Sequence, residues 1–135
     1  MPDTNDRTTI RDALERYIWS IDTHDADPFV ENFAEDGVYE SPFGTATGHD
    51  EIRAVIQQWH GSGMTSGKRH FSGPSVITVD GDTARVSASY FILEAAESPG
   101  VVASGGYDDE WVRVGDSWKI AVRRQTIDPS FEMQG

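Results

Sequence analysis

An aspartate closing an amphipathic helix and a histidine early in a strand are the two residues best suited to chemistry in this sequence. Asp22 ends the segment YIWSID, residues 17–22. A carboxylate there meets the negative end of the helix dipole, so some other interaction must hold it. His70, in KRHFSGP, is a natural partner. A carboxylate that accepts the Nδ1–H of an imidazole fixes its tautomer and raises its basicity, leaving Nε2 to take a proton. The plainer alternatives are an Asp22 held by backbone amides of the next turn and a His70 satisfied inside a core.

Two further side chains could assist. Tyr17 can donate a hydrogen bond to a carbonyl or a leaving hydroxyl, or can simply be a core aromatic. At ~100° per residue, Tyr17 and Asp22 lie about 140° apart on the helix, so they do not share a stripe. In WKIAVRRQTID, Arg123 and Arg124 point to opposite faces of one strand. The inward one needs an anion, either a substrate or an acid on a neighbouring strand. Both choices of arginine are open at this stage.

The remaining histidines read as bystanders. His24 and His49 sit beside acids in polar loops and are expected to be solvated. His60 ends a helix, where a cation suits the dipole. No metal site is expected, since THDAD and GHDE lack helical i, i+4 spacing and no HExxH occurs. GSGMTSG precedes a strand and not a helix, so it is a connector and not a phosphate loop. There is no GxSxG elbow and no cysteine.

The elements that must position these groups follow from periodicity. Residues 1–7 read as a flexible polar tail and residues 8–135 as one domain. Thr8 or Thr9 can cap a first helix, along which Ile10, Leu14, Tyr17, Ile18 and Ile21 recur at helical spacing. Asp25 or Asp27 can cap a second helix with Pro28 in its first position. A short strand is expected around Gly37–Ser41, then a third helix from His49 to Trp59. Four antiparallel strands should follow: Lys68–Val79, Thr83–Ala95, Val101–Val114 and Trp118–Ile127. Asp80-Gly81 and Gly115-Asp116 mark turns, and Gly73-Pro74 marks a bulge or edge feature. Helices beside a meandering sheet make an α+β fold.

Bulk properties narrow the function. A chain of 135 residues suits one core and one pocket. A formal net charge of −12 disfavours nucleic acid and anionic membrane as partners. The start, MPDTNDRTT, shows no apolar run behind basic residues, so no secretory leader is expected, and the location expected is cytoplasmic.

The three stretches IRDALERYIWSIDTHDADPFVENFAEDGVYESPFG, KRHFSGPSVITVDGDTARVSA and SGGYDDEWVRVGDSWKIAVRR together resemble the SnoaL-like group of the NTF2-like superfamily. That resemblance implies a cone-shaped barrel: three N-terminal helices packed in a curved antiparallel sheet around a deep apolar pocket. It sets Asp22 and His70 where cofactor-free dehydratases and dehydrochlorinases of the superfamily keep an Asp-His pair. It also sets Tyr17 and Arg123 at pocket positions. Trp19, Phe43, Trp59, Phe71, Tyr90 and Tyr107 would then shape a site for a small hydrophobic ring-bearing substrate. The departures are Ala88, where some dehydratases carry a second histidine, and Ser41, where the ketosteroid isomerases carry their general base. Glu40, one residue away, lies on the opposite face. The implied activity is a cofactor-free lyase, with an isomerase, a polyketide cyclase or a non-catalytic binding module as alternatives. The family also implies a homodimer or homotrimer.

Overall fold

The computed structural model describes residues 4–131 of the chain. Helix α1 (Thr4–Asp22) and short helix α2 (Ala26–Glu31) lead into strands β1 (Phe33–Ser41) and β2 (Gly44–Thr47). Helix α3 (Gly48–Ser62) follows, then β3 (Lys68–Asp80), β4 (Thr83–Glu94), β5 (Gly100–Val114) and β6 (Ser117–Ile127), and a single 3-10 turn, Pro129–Phe131. The strands form one curved sheet in the order β2-β1-β6-β5-β4-β3. Every pairing is antiparallel except β1 with β6.

Each helix buries the stripe its spacing predicts. On α1 this is Ile10, Ala13, Leu14, Tyr17, Ile18 and Ile21, the i, i+3, i+4 pattern of one helical face. The cap of α2 is Asp25, whose side chain accepts the Asp27 N–H at 3.2 Å. Pro28 falls at the third helical position and not the first, still within the turn whose N–H groups have no intrahelical partner. Helix α3 starts one residue earlier than expected and runs three further. Glu51 accepts the Thr47 N–H at 3.0 Å, and Gly63 ends the helix in the left-handed conformation, φ 81°.

The N-terminal boundary needs correction. Residues 4–7, expected as tail, already belong to α1; residues 1–3 lie outside the described residues. The early start has a tertiary cause. Asp6 accepts two hydrogen bonds from the Arg113 guanidinium, at 2.9 and 3.0 Å, and one from Trp118 Nε1 at 3.0 Å. The first turn is therefore tied to the β5–β6 hairpin.

Strand β1 begins four residues earlier than predicted, because Phe33 already pairs with Ile120 of β6, ahead of a register shift and the Val38–Glu40 pairs. Strand β2 was not expected at all. The long strands fall within a residue or so of their predicted limits. The Gly73-Pro74 dipeptide sits at a register shift between Ser72 and Ser75, as a bulge requires. Helix α1 crosses the concave face beside edge strand β3 and reaches β6, while α3 covers β1 and β2. Among the described residues, no helix is long and apolar enough to cross a membrane.

Candidate active site

Asp22 and His70 meet where the last turn of α1 passes the start of β3. Asp22 Oδ1 lies 2.7 Å from His70 Nδ1. The same carboxylate accepts the backbone N–H of His70, at 2.9 Å to Oδ2 and 3.2 Å to Oδ1. A carboxylate offers only acceptors, so Nδ1 carries the proton of the ring contact. Asp22 thus holds both an imidazole and a backbone amide, but the amide belongs to His70 on β3 and not to the next turn. Backbone and ring are gripped by one group, so the imidazole has little rotational freedom. Nε2 has no hydrogen-bond partner among the described residues. The side chains are nearly buried, at 9 and 15% exposure for His70 and Asp22 respectively.

His70 borders a cavity of about 360 Å³ enclosed by the helices and the concave sheet. Tyr17 and Ile21 reach it from α1, Trp59 from α3, and Tyr39, Tyr90, Tyr107 and Gln125 from the sheet. The size falls at the low end of the ~300–1,000 Å³ usual for small-molecule sites. Asp22 does not line this cavity. It stands behind the imidazole, which reconciles its helical angle with that of Tyr17.

The wall is dominated by phenols held in place by one another. Tyr39 donates a short hydrogen bond to Gln125 Oε1. Gln125 Nε2 donates to the Tyr90 hydroxyl at 3.1 Å, and Tyr90 donates to the Thr126 carbonyl at 2.9 Å. Gly105 leaves room for this chain: a Cβ there would lie 1.9 Å from the Thr126 carbonyl oxygen and 2.8 Å from the Tyr90 hydroxyl. Tyr17 stacks on Phe29 at 4.4 Å and Tyr107 on Tyr90 at 4.9 Å. Burial pushes the Tyr17 phenol up to about 12, against the pull of the Arg123 charge. Burial likewise holds Tyr39 and Tyr107 well above the ordinary value and raises Tyr90. At neutral pH all four are neutral hydrogen-bond donors.

Arg123, and not Arg124, faces inward, but it does not line the cavity. Its guanidinium binds Asp109 through two bonds, Nε to Oδ1 at 2.9 Å and Nη2 to Oδ2 at 2.6 Å. Tyr17 and Tyr107 cover it, their ring centroids 4.4 and 4.1 Å from its central carbon. Burial opposes its charge, but the Asp109 carboxylate outweighs burial and keeps it firmly protonated. Arg123 is therefore a support beneath two tyrosines, its charge already matched by an acid on the neighbouring strand.

The six expected pocket aromatics divide. Tyr90, Tyr107 and Trp59 line the cavity, and Phe43 stands at its rim, 74% exposed. Trp19 and Phe71 do not reach it: both border a groove of about 520 Å³ between α1 and β3, which Asp22 and His70 line as well. Trp19 lies about 100° round the helix from Ile18, with 65% of its surface exposed, and Phe71 follows His70 onto the opposite face of its strand, where it stacks on Phe91 at 4.9 Å. Three residues that sequence reasoning missed are Tyr39, Gln125 and Asp109. Gln125 was legible, since it lies two positions beyond Arg123 on the same strand face.

The other histidines are more engaged than expected. His49 Nε2 donates to the Phe33 carbonyl at 2.8 Å and is half-buried. His24 stacks on His60 at 4.5 Å, and His60 Nε2 donates to the Ile21 carbonyl at 3.1 Å. Burial lowers the His60 pKa, so it is not the helix-end cation the sequence suggested.

These features define the NTF2-like, or cystatin-like, fold class. A SnoaL-like domain matches residues 2–124, and the chain belongs to that family. No curated protein matches it. An NTF2-like protein from Novosphingobium aromaticivorans is 30% identical, with a TM-score of 0.85 over 93% of this chain and 83% of the other. A protein of unknown function from Nostoc punctiforme, with a cystatin-like fold, is 23% identical with a TM-score of 0.86, covering 96% of each chain. A second Novosphingobium aromaticivorans protein, provisionally assigned as a scytalone dehydratase, is 21% identical with a TM-score of 0.75, over 90% of this chain and 83% of that one.

Proposed function

We propose that the protein is a cofactor-free lyase that eliminates water from a small, ring-bearing hydroxy-carbonyl compound. The observation that carries this reading is the 2.7 Å contact between Asp22 and His70 Nδ1, with Nε2 left unpartnered beside the tyrosine-lined cavity. Family membership and the likeness in fold to a provisional dehydratase are consistent with it.

In this reading His70 Nε2 removes a proton from the carbon next to a carbonyl. The C–H electron pair moves into an enolate, whose oxygen accepts hydrogen bonds from the Tyr17 and Tyr107 phenols. These phenols keep their protons at neutral pH, so they stabilise the oxyanion by donation. Collapse of the enolate expels the β-hydroxyl, which takes the proton from the His70 imidazolium and leaves as water. The product is an enone, and His70 returns to its neutral form. Asp22 orients the ring throughout and stabilises the cation while it lasts. A small hydrophobic ligand, a homodimer or homotrimer and a cytoplasmic setting belong to the same reading.

The test is turnover on a panel of cyclic β-hydroxy ketones, followed by enone absorbance and product mass. Positioned acid–base catalysis contributes roughly 10²–10⁴-fold, so His70→Ala should lower kcat by that order. Asp22→Asn should lower it substantially with little change in KM, because a neutral amide cannot stabilise the imidazolium and offers one acceptor oxygen where the carboxylate offers two. An unchanged rate in His70→Ala would sink the reading. Rearranged product without loss of water would replace the lyase by an isomerase or cyclase using the same base.

A further inference from the structure

We propose that the cavity takes a ligand bearing one carboxylate, and that Lys68 receives it. The inference rests on the reading of this cavity as a small-molecule site and adds the charge of the molecule it binds. The chain as a whole carries a formal charge of −12. Yet no carboxylate lines the cavity, and among the described residues that do, Lys68 is the one side chain with a permanent charge. In a strongly acidic protein, the lining of this cavity thus favours an anion.

The placement of Lys68 is informative. It stands two residues before His70 on β3, so both face inward from the same side of the strand, their backbones about 6–7 Å apart. A carboxylate at Lys68 would leave the ring body of the ligand among Tyr17, Tyr90 and Tyr107, within reach of the imidazole. A charge placed deeper, among the phenols, would have only the Arg123 charge, largely offset by Asp109, against its desolvation.

Lys68 also has only a loose partner of its own. Glu94, opposite it on β4, lies 3.5 Å away. Glu94 does not depend on that contact, since it accepts the Ala96 N–H at 2.9 Å. Its pKa is held below the ordinary value first by that backbone bond, with the Lys68 charge a smaller cause. Lys68 can therefore turn from Glu94 to a bound anion without leaving Glu94 unsatisfied.

Matched acid and amide probes test this directly: 2-naphthoate against 2-naphthamide, and cinnamate against cinnamamide. Binding is followed by calorimetry at low ionic strength. At least one acid should bind the wild type about tenfold tighter than its amide, the lower end of what a hydrogen bond to a charged group contributes. Lys68→Met should abolish that preference and Lys68→Arg should retain it. Glu94→Gln should bind the acid more tightly, having released its hold on Lys68. Equal binding of acids and amides, no binding of any probe, or a preference that survives in Lys68→Met would overturn the proposal. His70→Ala should keep the preference, which separates this site from the elimination chemistry. Loss of acid preference in Lys68→Met together with an unchanged rate in His70→Ala would leave the Lys68 site standing and remove the lyase.

Discussion

The interior holds two acid–base pairs that look alike on paper and differ in every consequence. Asp109 and Arg123 sit at the centre of the sheet, on adjacent strands, with side chains fully buried. Asp109 also accepts Trp111 Nε1 at 3.1 Å, and two tyrosine rings close over the guanidinium. Asp22 and His70 sit at the seam between a helix end and an edge strand, and His70 Nε2, on a ring that borders both the cavity and the groove between α1 and β3, has no hydrogen-bond partner among the described residues. The sealed pair locks a permanent charge against its counter-ion, and only Arg123 Nη1 is left buried without a hydrogen-bond partner among the described residues. The open pair leaves one ring nitrogen without such a partner, and the proposed function assigns that nitrogen the role of base. Position in the fold, and not the identity of the acid, separates a scaffold from a site.

The largest expected effect comes from breaking the sealed pair on one side. Removing one partner of a buried ion pair leaves the other charged and unpaired, at a cost of about 3–5 kcal/mol. Asp109→Asn or Arg123→Met should each lower the unfolding free energy measured in urea by that order. The double variant Asp109→Leu with Arg123→Met should recover most of the loss, because no orphan charge remains. A single variant costing less than about 1 kcal/mol would mean that the pair does not carry the weight its burial suggests.

The same contrast shows what could be read from sequence. The Asp22–His70 contact was legible because a helix-end acid had to find a donor. The Asp80-Gly81 and Gly115-Asp116 turns gave the four long strands nearly to the residue, while helix periodicity found α1 and α3 but left the start of α1 and the end of α3 three to four residues short. Asp109 was not legible as the partner of Arg123. From the second turn outward, Val114 pairs with Ser117 and Trp111 with Ile120, and an unbroken register would set Asp109 against Val122. A bulge between Glu110 and Trp111 shifts the ladder by one residue and delivers Asp109 to Arg123. Strand β2, GTAT, is too short to show alternation, and its existence depends on pairing with β1. The start of α1 was hidden for a similar reason: Asp6 is fixed by Arg113, 107 residues away. Phe71, by contrast, was misassigned against a legible rule, since a residue beside an inward His70 must face out.

A smaller effect concerns the tyrosines that cover the sealed pair. The Tyr17 phenol is pushed up to about 12 in the fold, against an ordinary value of 10. Between these values the unfolded chain has released its proton while the native state keeps it, so the native state binds more protons. Stability is unaffected below pH 10, falls as pH rises through this window, and the loss is complete above about 12. A shift of roughly two units corresponds to about 3 kcal/mol, and Tyr39 and Tyr107 act in the same direction. Urea titrations from pH 8 to 11.5 should show stability declining once pH passes 10, less steeply in Tyr17→Phe. A flat profile would mean that these phenols are not sealed in as their surroundings imply.

The smallest effect gives the sharpest control. Arg124 follows Arg123 in sequence but faces the outside of the sheet. It reaches Glu110 at 2.9 Å and Glu40 at 3.5 Å, with its side chain 42% exposed. Its partners are carboxylates, as Asp109 is, and the nearer is almost as close, so pair counting alone would rank the two arginines together. Solvent screening should instead reduce Arg124→Gln to about 0–1 kcal/mol, vanishing in high salt. Arg123→Met should keep its full cost at any ionic strength, because water and salt do not reach it. If the neighbours cost the same, or both lose their effect in salt, then burial is not what distinguishes the two pairs, and the division between scaffold and site would have to rest on chemistry instead.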